Sequence, residues 1–296
     1  MDAFNFTKMH GLGNDYVYVN AFEERITDAV AAARAVSDRH FGIGSDGLIL
    51  IGPSERADVR MEMYNADGSR AQMCGNGIRC VAKYAIDHGL VTSRREVPAV
   101  MAEAAGELTL NGAIQVETDC GVLVLGLVDG RTGVAQVCVD MGEPTFAPAA
   151  LPMNVEGNEV LDRPVRIGER EYVMTGVSVG NPHVIVFVDA VSAVRLAEEG
   201  PAIETDPVFP KRVNAHFVQV LGRGEMRMVT WERGSGATLA CGTGATAVCV
   251  AAARTGRTDR RALIHLPGGP LRLAWAEDNH VFMTGPATEV FSGRWA

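Results

Sequence analysis

Cys74 and Cys241 each open the same short phrase, Cys74-Gly75-Asn76-Gly77 and Cys241-Gly242-Thr243-Gly244, 167 residues apart. The residues that follow carry apolar positions at helical spacing. Ile78, Val81, Ala82, Ala85 and Ile86 do so in the first copy, and Ala245, Val248, Cys249, Ala252 and Ala253 in the second, with Gly89 and Gly256 as stops. Each thiol is therefore expected at a helix start, where unpaired N–H groups and the positive end of the helix dipole favour a thiolate. Such a site can bring a cysteine well below its usual pKa of about 8.5. The glycines after each cysteine let backbone amides approach an anion closely, so the two helix starts together read as a clamp for a carboxylate.

Two such thiols on opposite sides of a carbon that bears a carboxylate can invert its configuration. A thiolate takes the proton from one face and a thiol returns one to the other. In principle no cofactor is needed if fixed N–H donors hold the charge that develops on the carboxylate. The two sulfurs would share one proton, so their titration should be coupled. A redox pair in a thiol oxidoreductase also explains two neighbouring cysteines, but not the glycine turns. A non-catalytic amino-acid-binding protein is a third reading. Cys80 and Cys249 inside the helices, and Cys120 and Cys138 in strand-like runs, read as core.

The elements that must position these groups follow the same offset. Gly13-Asn14-Asp15-Tyr16-Val17 becomes Gly180-Asn181-Pro182-His183-Val184, and Met61 meets Met228. A duplicated chain is expected to form two similar units facing each other across a cleft. Phe4 to Asn20 reads as strand, turn, strand, and Thr27 to His40 as a capped helix. Leu48–Ile51 and Arg60–Tyr64 read as strands. Val97 to Val139 reads as strand-rich, and Pro144 to Arg166, with its prolines, as a connector. Val281 to Phe291 reads as one final strand. The second domain should start near residue 143. The almost wholly apolar second helix implies a helix surrounded by sheet.

A chain of 296 residues suits two domains, and a net charge of -9 disfavours nucleic acid or an anionic membrane as partner. The N-terminus shows no basic segment followed by an apolar run, which points to the cytoplasm, where the six cysteines should stay reduced. The apolar stretch Ala237 to Ala253 is too short and too rich in Gly, Thr and Ala to span a bilayer. Cysteine and histidine spacings match no metal site, so no metal is expected.

Asn65-Ala66-Asp67-Gly68-Ser69, followed after four residues by Cys74-Gly75-Asn76-Gly77-Ile78-Arg79, resembles the signature of the diaminopimelate epimerases. Lys8-Met9-His10-Gly11-Leu12-Gly13-Asn14-Asp15, Gly180-Asn181-Pro182-His183, and Trp231-Glu232-Arg233-Gly234 through Cys241-Gly242-Thr243-Gly244 are similar to its other motifs, in order. The resemblance implies an α/β fold of the α+β roll type, with two pseudo-symmetric domains, each a curled mixed sheet around a central helix, and the active site in the cleft between them. The halves would be 1–142 plus 285–296 and 143–284, the last strand returning to the first.

The activity implied is interconversion of LL- and meso-diaminopimelate on the route to lysine, without pyridoxal phosphate or any other cofactor, in a homodimer. By the family's usual assignment Cys74 is proton donor and Cys241 acceptor, with His183 and Glu232 assisting. The same carry-over puts Asn14, Asn65, Asn181, Asn214 and Arg233 on the substrate's distal amino-acid end, where Arg233 can grip a carboxylate bidentately. Gly75, Asn76, Gly242 and Thr243 would supply amides to the reacting carboxylate, and Glu232 would also touch substrate. One departure is Gly47, where some members carry glutamine. The nearest rival resembles proline racemases and hydroxyproline epimerases, whose substrates lack a distal amino-acid head.

Overall fold

The structure is a computed structural model that describes residues 3–71 and 73–296. The chain forms two compact units, residues 1–140 with 284–296, and residues 141–283.

In the first unit the elements are β1 (Phe4–Gly11), β2 (Asn14–Asn20), α1 (Ala29–Ser37), β3 (Gly47–Gly52), β4 (Val59–Asn65), β5 (Arg70–Ala71), α2 (Gly75–Asp87), α3 (Ala99–Ala105), β6 (Ala113–Thr118), β7 (Gly121–Asp129) and β8 (Val134–Asp140). The second holds β9 (Arg163–Ile167), β10 (Arg170–Ser178), β11 (Pro182–Phe187), α4 (Leu196–Glu204), β12 (Asn214–Gly222), β13 (Glu225–Glu232), β14 (Gly236–Ala237), α5 (Gly242–Arg254), β15 (Arg261–Leu266) and β16 (Gly269–Trp275). The chain re-enters the first unit within β17 (Val281–Pro286), and β18 (Thr288–Trp295) pairs antiparallel with β1.

From β2 to β4, repeated in β11 to β13, the duplication holds to the level of strand register. β1 and β2 are antiparallel, β2 and β3 parallel, β3 and β4 antiparallel, and β4 and β6 parallel; β10, β11, β12, β13 and β15 repeat that order of senses. Val17 opposes Leu48 as Val184 opposes Ala215, and Leu48 opposes Tyr64 as Ala215 opposes Trp231. Because a one-residue slip would turn every side chain to the other face, equal register places equivalent residues on equivalent faces.

Each sheet wraps a central helix. α2 packs on β1, β2, β3, β4, β6, β7 and β8, and α5 on β10, β11, β12, β15 and β16. Both helices end two residues before a glycine in the left-handed region, Gly89 (φ 72°) and Gly256 (φ 74°), as the stop signals imply. On the outer face α1 covers Val17, Val19 and Leu48 in the first unit. Ile203 of α4 joins Val184, Ala215 and Phe217 in the second. Side chains of this kind, fully buried, each contribute about 1.5–3 kcal/mol.

Four readings need correction. The strand-rich span after Val97 begins with a helix, α3, whose sequence is mostly alanine and sits between Pro98 and Gly106. The connector gives way to β9 three residues before its expected end at Arg166. The final strand is two strands, interrupted at Ala287. Cys120 is exposed, because it lies in the two-residue turn that joins β6 to β7. Cys80, Cys138 and Cys249 are buried.

Candidate active site

Each unit carries one cysteine as the N-cap of its central helix. Cys74 and Cys241 have extended backbones (φ -135° and -125°), and their carbonyls accept the first helical bonds from Ile78 and Ala245, each at 2.9 Å. The amides of the first turn have no intrahelical acceptor, which leaves Gly75, Asn76, Gly242 and Thr243 positioned to face an anion.

In the first unit Cys74 is half-buried. Its Sγ accepts the Gly77 amide at 3.4 Å and donates to Asn14 Oδ1 at 3.3 Å. Asn14 is fixed from behind, since its Nδ2 donates to Asp46 Oδ2 at 2.7 Å. Arg39 joins Asp46 to Asp15, and Lys8 closes on Asp15 at 2.5 Å. Burial works to raise the Asp15 pKa, but Arg39 and Lys8 outweigh it and hold the carboxyl below its ordinary range.

Tyr16, the counterpart of His183 in the repeated phrase, is buried with its hydroxyl bonded to Asn14 and Cys74. Burial, then the nearby Cys74 and Asp46, push its pKa far up, so it remains a neutral donor. Arg79 is fully buried and donates to the carbonyls of Gly75 at 3.0 Å and Pro286 at 3.1 Å, bracing the first turn of α2. Asn65 bonds Ser69 Oγ at 3.0 Å across the Asp67-Gly68 turn.

In the second unit Cys241 is buried, 3% exposed. Burial and then the adjacent Glu232 carboxylate, which accepts a hydrogen bond from the thiol, push the Cys241 pKa well up. The Thr243 hydroxyl and the Gly244 amide act in the opposite sense without winning. This corrects the expectation that a helix start alone makes this sulfur acidic. Loss of water and one neighbouring negative charge exceed what a helix terminus supplies. Glu232 is also held by the Thr238 hydroxyl.

His183 is fully buried with both ring nitrogens engaged. Nε2 meets Asn181 Oδ1 and Nδ1 meets His216 Nε2, each at 2.8 Å. It reaches Cys241 through other groups, because Asn181 Nδ2 donates to Thr243 Oγ1 at 3.4 Å and Thr243 Oγ1 lies 3.7 Å from Cys241 Sγ. Asn214 spends its carboxamide on the protein, donating to Pro182 O at 2.8 Å and accepting from Arg233 N at 3.0 Å. The Arg233 guanidinium is exposed and touches Lys211 O at 3.3 Å.

Cys74 is thus gathered with Asn14, and Cys241 with Glu232, Thr243, Asn181 and His183. Asn65 and Asn214 serve a turn and a strand connection. Tyr16, Arg79, His216 and Thr238 were missed. Arg79, inside a family motif, and Tyr16, the counterpart of His183 in the repeat, carried a sequence signal. At Gly47 an added Cβ would stand 2.1 Å from the Tyr64 carbonyl oxygen, so a glutamine does not fit this backbone. Among the described residues, no three His, Cys, Asp or Glu side chains are grouped to hold a metal ion, and no helix is long and apolar enough to cross a membrane.

The family profile described as diaminopimelate epimerase matches residues 6–147 and 175–290. The chain is 52% identical over 296 residues to a diaminopimelate epimerase of Agathobacter rectalis, covering 97% of this chain and 98% of that protein. It is 50% identical over 291 residues to one of Acetivibrio thermocellus, covering 97% of each. Among solved structures it is similar to a PhzF-family phenazine biosynthesis protein of Bacillus anthracis, with a TM-score of 0.69 at 16% identity and 100% of both chains covered. It is also similar to a hydroxyproline epimerase of Agrobacterium vitis, with a TM-score of 0.64 at 14% identity, covering 100% of this chain and 91% of that one. At such low identity these two matches establish the shared mixed-sheet fold alone.

Proposed function

The chain belongs to the diaminopimelate epimerase family, and from that premise we propose that it interconverts LL- and meso-diaminopimelate with Cys74 and Cys241 as its two bases. The observation that carries this reading is that both cysteines cap a central helix at the same place in a repeated unit. In this reading the two half-sites, residues 1–142 plus 285–296 and 143–284, close on one substrate, with a sulfur on each face of the reacting carbon.

The proton balance is simple. One thiolate takes the α-proton, the carboxylate gathers the negative charge against the first-turn amides of the two helices, and the opposite thiol supplies the proton that completes inversion. When Cys241 is the acceptor, Glu232 first receives its proton and the Thr243 hydroxyl steadies the thiolate. When Cys241 is the donor, it starts as the thiol that its surroundings favour. Asn14, Asn65, Asn181, Asn214 and Arg233 bear on the distal amino-acid end in this reading, Asn214 by holding the Arg233 backbone. A homodimer in the cytoplasm, serving lysine biosynthesis, completes the proposal on the strength of the family resemblance.

Purified protein with LL-diaminopimelate and no added cofactor tests it. Formation of the meso isomer, abolished by Cys74→Ala and by Cys241→Ala with the fold retained, is the expected result. Full activity in either variant, or a clear preference for proline, would sink the reading.

A further inference from the structure

The two half-sites are built on equivalent positions but not on equivalent chemistry. The 167-residue offset carries Tyr16 onto His183, Ile49 onto His216, Met63 onto Thr230, Asn65 onto Glu232 and Asn76 onto Thr243. Matching strand registers place the first four pairs on the same faces, and Asn76 and Thr243 lie at the same position of α2 and α5. In the first unit the positions behind Tyr16 are apolar, and Ile49 lies against Gly77. In the second, His216 lies against Gly244 in the same way, and its Nδ1 meets Thr230 Oγ1 at 2.6 Å. His183, His216 and Thr230 are each no more than 1% exposed. A polar chain has replaced an apolar one in a dry interior, where every donor must meet an acceptor.

The direction of that chain follows from what each atom can do. Asn181 Oδ1 only accepts, so His183 Nε2 carries the hydrogen. A neutral His183 then offers a lone pair at Nδ1, which must accept from His216 Nε2–H. His216 in turn offers its Nδ1 lone pair, and the Thr230 hydroxyl donates to it. Beyond His183, Asn181 Nδ2–H donates to Thr243 Oγ1, which leaves the Thr243 hydrogen free to point at Cys241 Sγ.

We infer that His216 and Thr230 are positioning residues for Cys241: through His183, Asn181 and Thr243 they form a one-way hydrogen-bond chain that aims the Thr243 O–H at the sulfur. The inference rests on the two-thiol reading above. It also accounts for how near-identical cysteines can differ, since one faces Tyr16 directly and the other a five-member chain and a carboxylate. Burial supports neutral rings, lowering His216 to about 3 and His183 well below its ordinary value. The charged groups that bear on the chain are Arg233, toward His183, and Glu232, at Cys241.

The test reads tautomers and turnover separately. Proton–nitrogen correlation spectra of full-length protein labelled with ¹⁵N-histidine, assigned with His216→Gln, should show both rings as neutral Nε2–H tautomers from pH 7.5 to 5. Thr230→Val, which keeps shape and removes the hydroxyl, should disturb the His216 tautomer and lower kcat by about tenfold, the effect of losing one hydrogen bond. Thr230→Ser should restore both. An Nδ1–H tautomer at His183 in the unmodified protein, or Thr230→Val with unchanged kcat, overturns the inference. If the unmodified protein fails to epimerise diaminopimelate, the functional proposal falls instead, and the tautomer spectra still decide the chain's direction.

Discussion

The Cys241 thiol hydrogen-bonds the Glu232 carboxylate, and burial together with that pairing holds the proton on sulfur in the second half-site. The equivalent position in the first unit is Asn65, a neutral amide engaged with Ser69. The carboxylate therefore belongs to one cysteine only. Replacing Glu232 by Gln keeps the shape and removes the charge. Epimerisation should fall by about 10²-fold, the usual scale for losing a proton-transfer partner, with the circular-dichroism spectrum unchanged. Steady-state rates near those of the parent would remove Glu232 from the mechanism.

Gly244 allows His216 and Cys241 to share one space. A Cβ there would lie 2.4 Å from His216 Cε1 and 3.0 Å from Cys241 Sγ, and neither buried side chain can retreat. Gly244→Ala should destabilise the protein by about 1–3 kcal/mol, the range for overpacking, and abolish turnover. Gly222→Ala, where an added Cβ meets nothing within 4 Å, should leave the unfolding midpoint within error. Equal midpoints for the two variants would contradict the packing described.

Acid should unfold this protein partly through its histidines. The His216 pKa is lowered from 6.5 to about 3 by burial. Above pH 6.5 the ring is neutral folded or unfolded. Below it the unfolded chain binds a proton that the native ring refuses, so stability is lost as pH falls from 6.5 toward 3, by up to about 1.4 kcal/mol per unit. Denaturant titrations at pH 7.5 and 5 should differ by about 2 kcal/mol from this ring alone. His216→Gln should lose less over the same interval, and an identical loss would assign the effect elsewhere.

Cys120 is the exposed thiol, whereas burial raises Cys80 and Cys138 to about 11 and Cys249 to about 12. Brief alkylation of native protein followed by peptide mass mapping should mark Cys120 and spare those three. Cys120→Ser should keep full activity. Rapid labelling of Cys249 in native protein would contradict the placement of α5.

The parts legible in the sequence were those with a strong period or a repeated phrase. The apolar spacing from Ile78 to Ile86 located α2, and the offset then placed α5 without further information. α3 was missed because a short alanine-rich run buries only Met101 and Ala105, too little pattern to separate from its strand-rich surroundings. Cys120 was misread because one residue of register decides between a strand and its turn. His216 was invisible for a different reason. A lone histidine in the run Asn214 to Val220 carries no motif, and its meaning appears only when β13 brings Thr230 opposite it. The acidity of Cys241 was misjudged because the helix terminus is visible in sequence, while the burial and the neighbouring Glu232 that outweigh it are not.

The claim that everything else depends on is that two thiols act from opposite faces of one carbon. The most direct measurement converts LL-diaminopimelate in D₂O and samples both isomers before about a tenth has reacted. Because each sulfur carries a single solvent-derived hydron, the meso product should bear one deuterium at the inverted α-carbon while recovered LL substrate remains protiated. Meso product that retains the substrate's own hydrogen would mean that one base serves both faces, and would contradict the account.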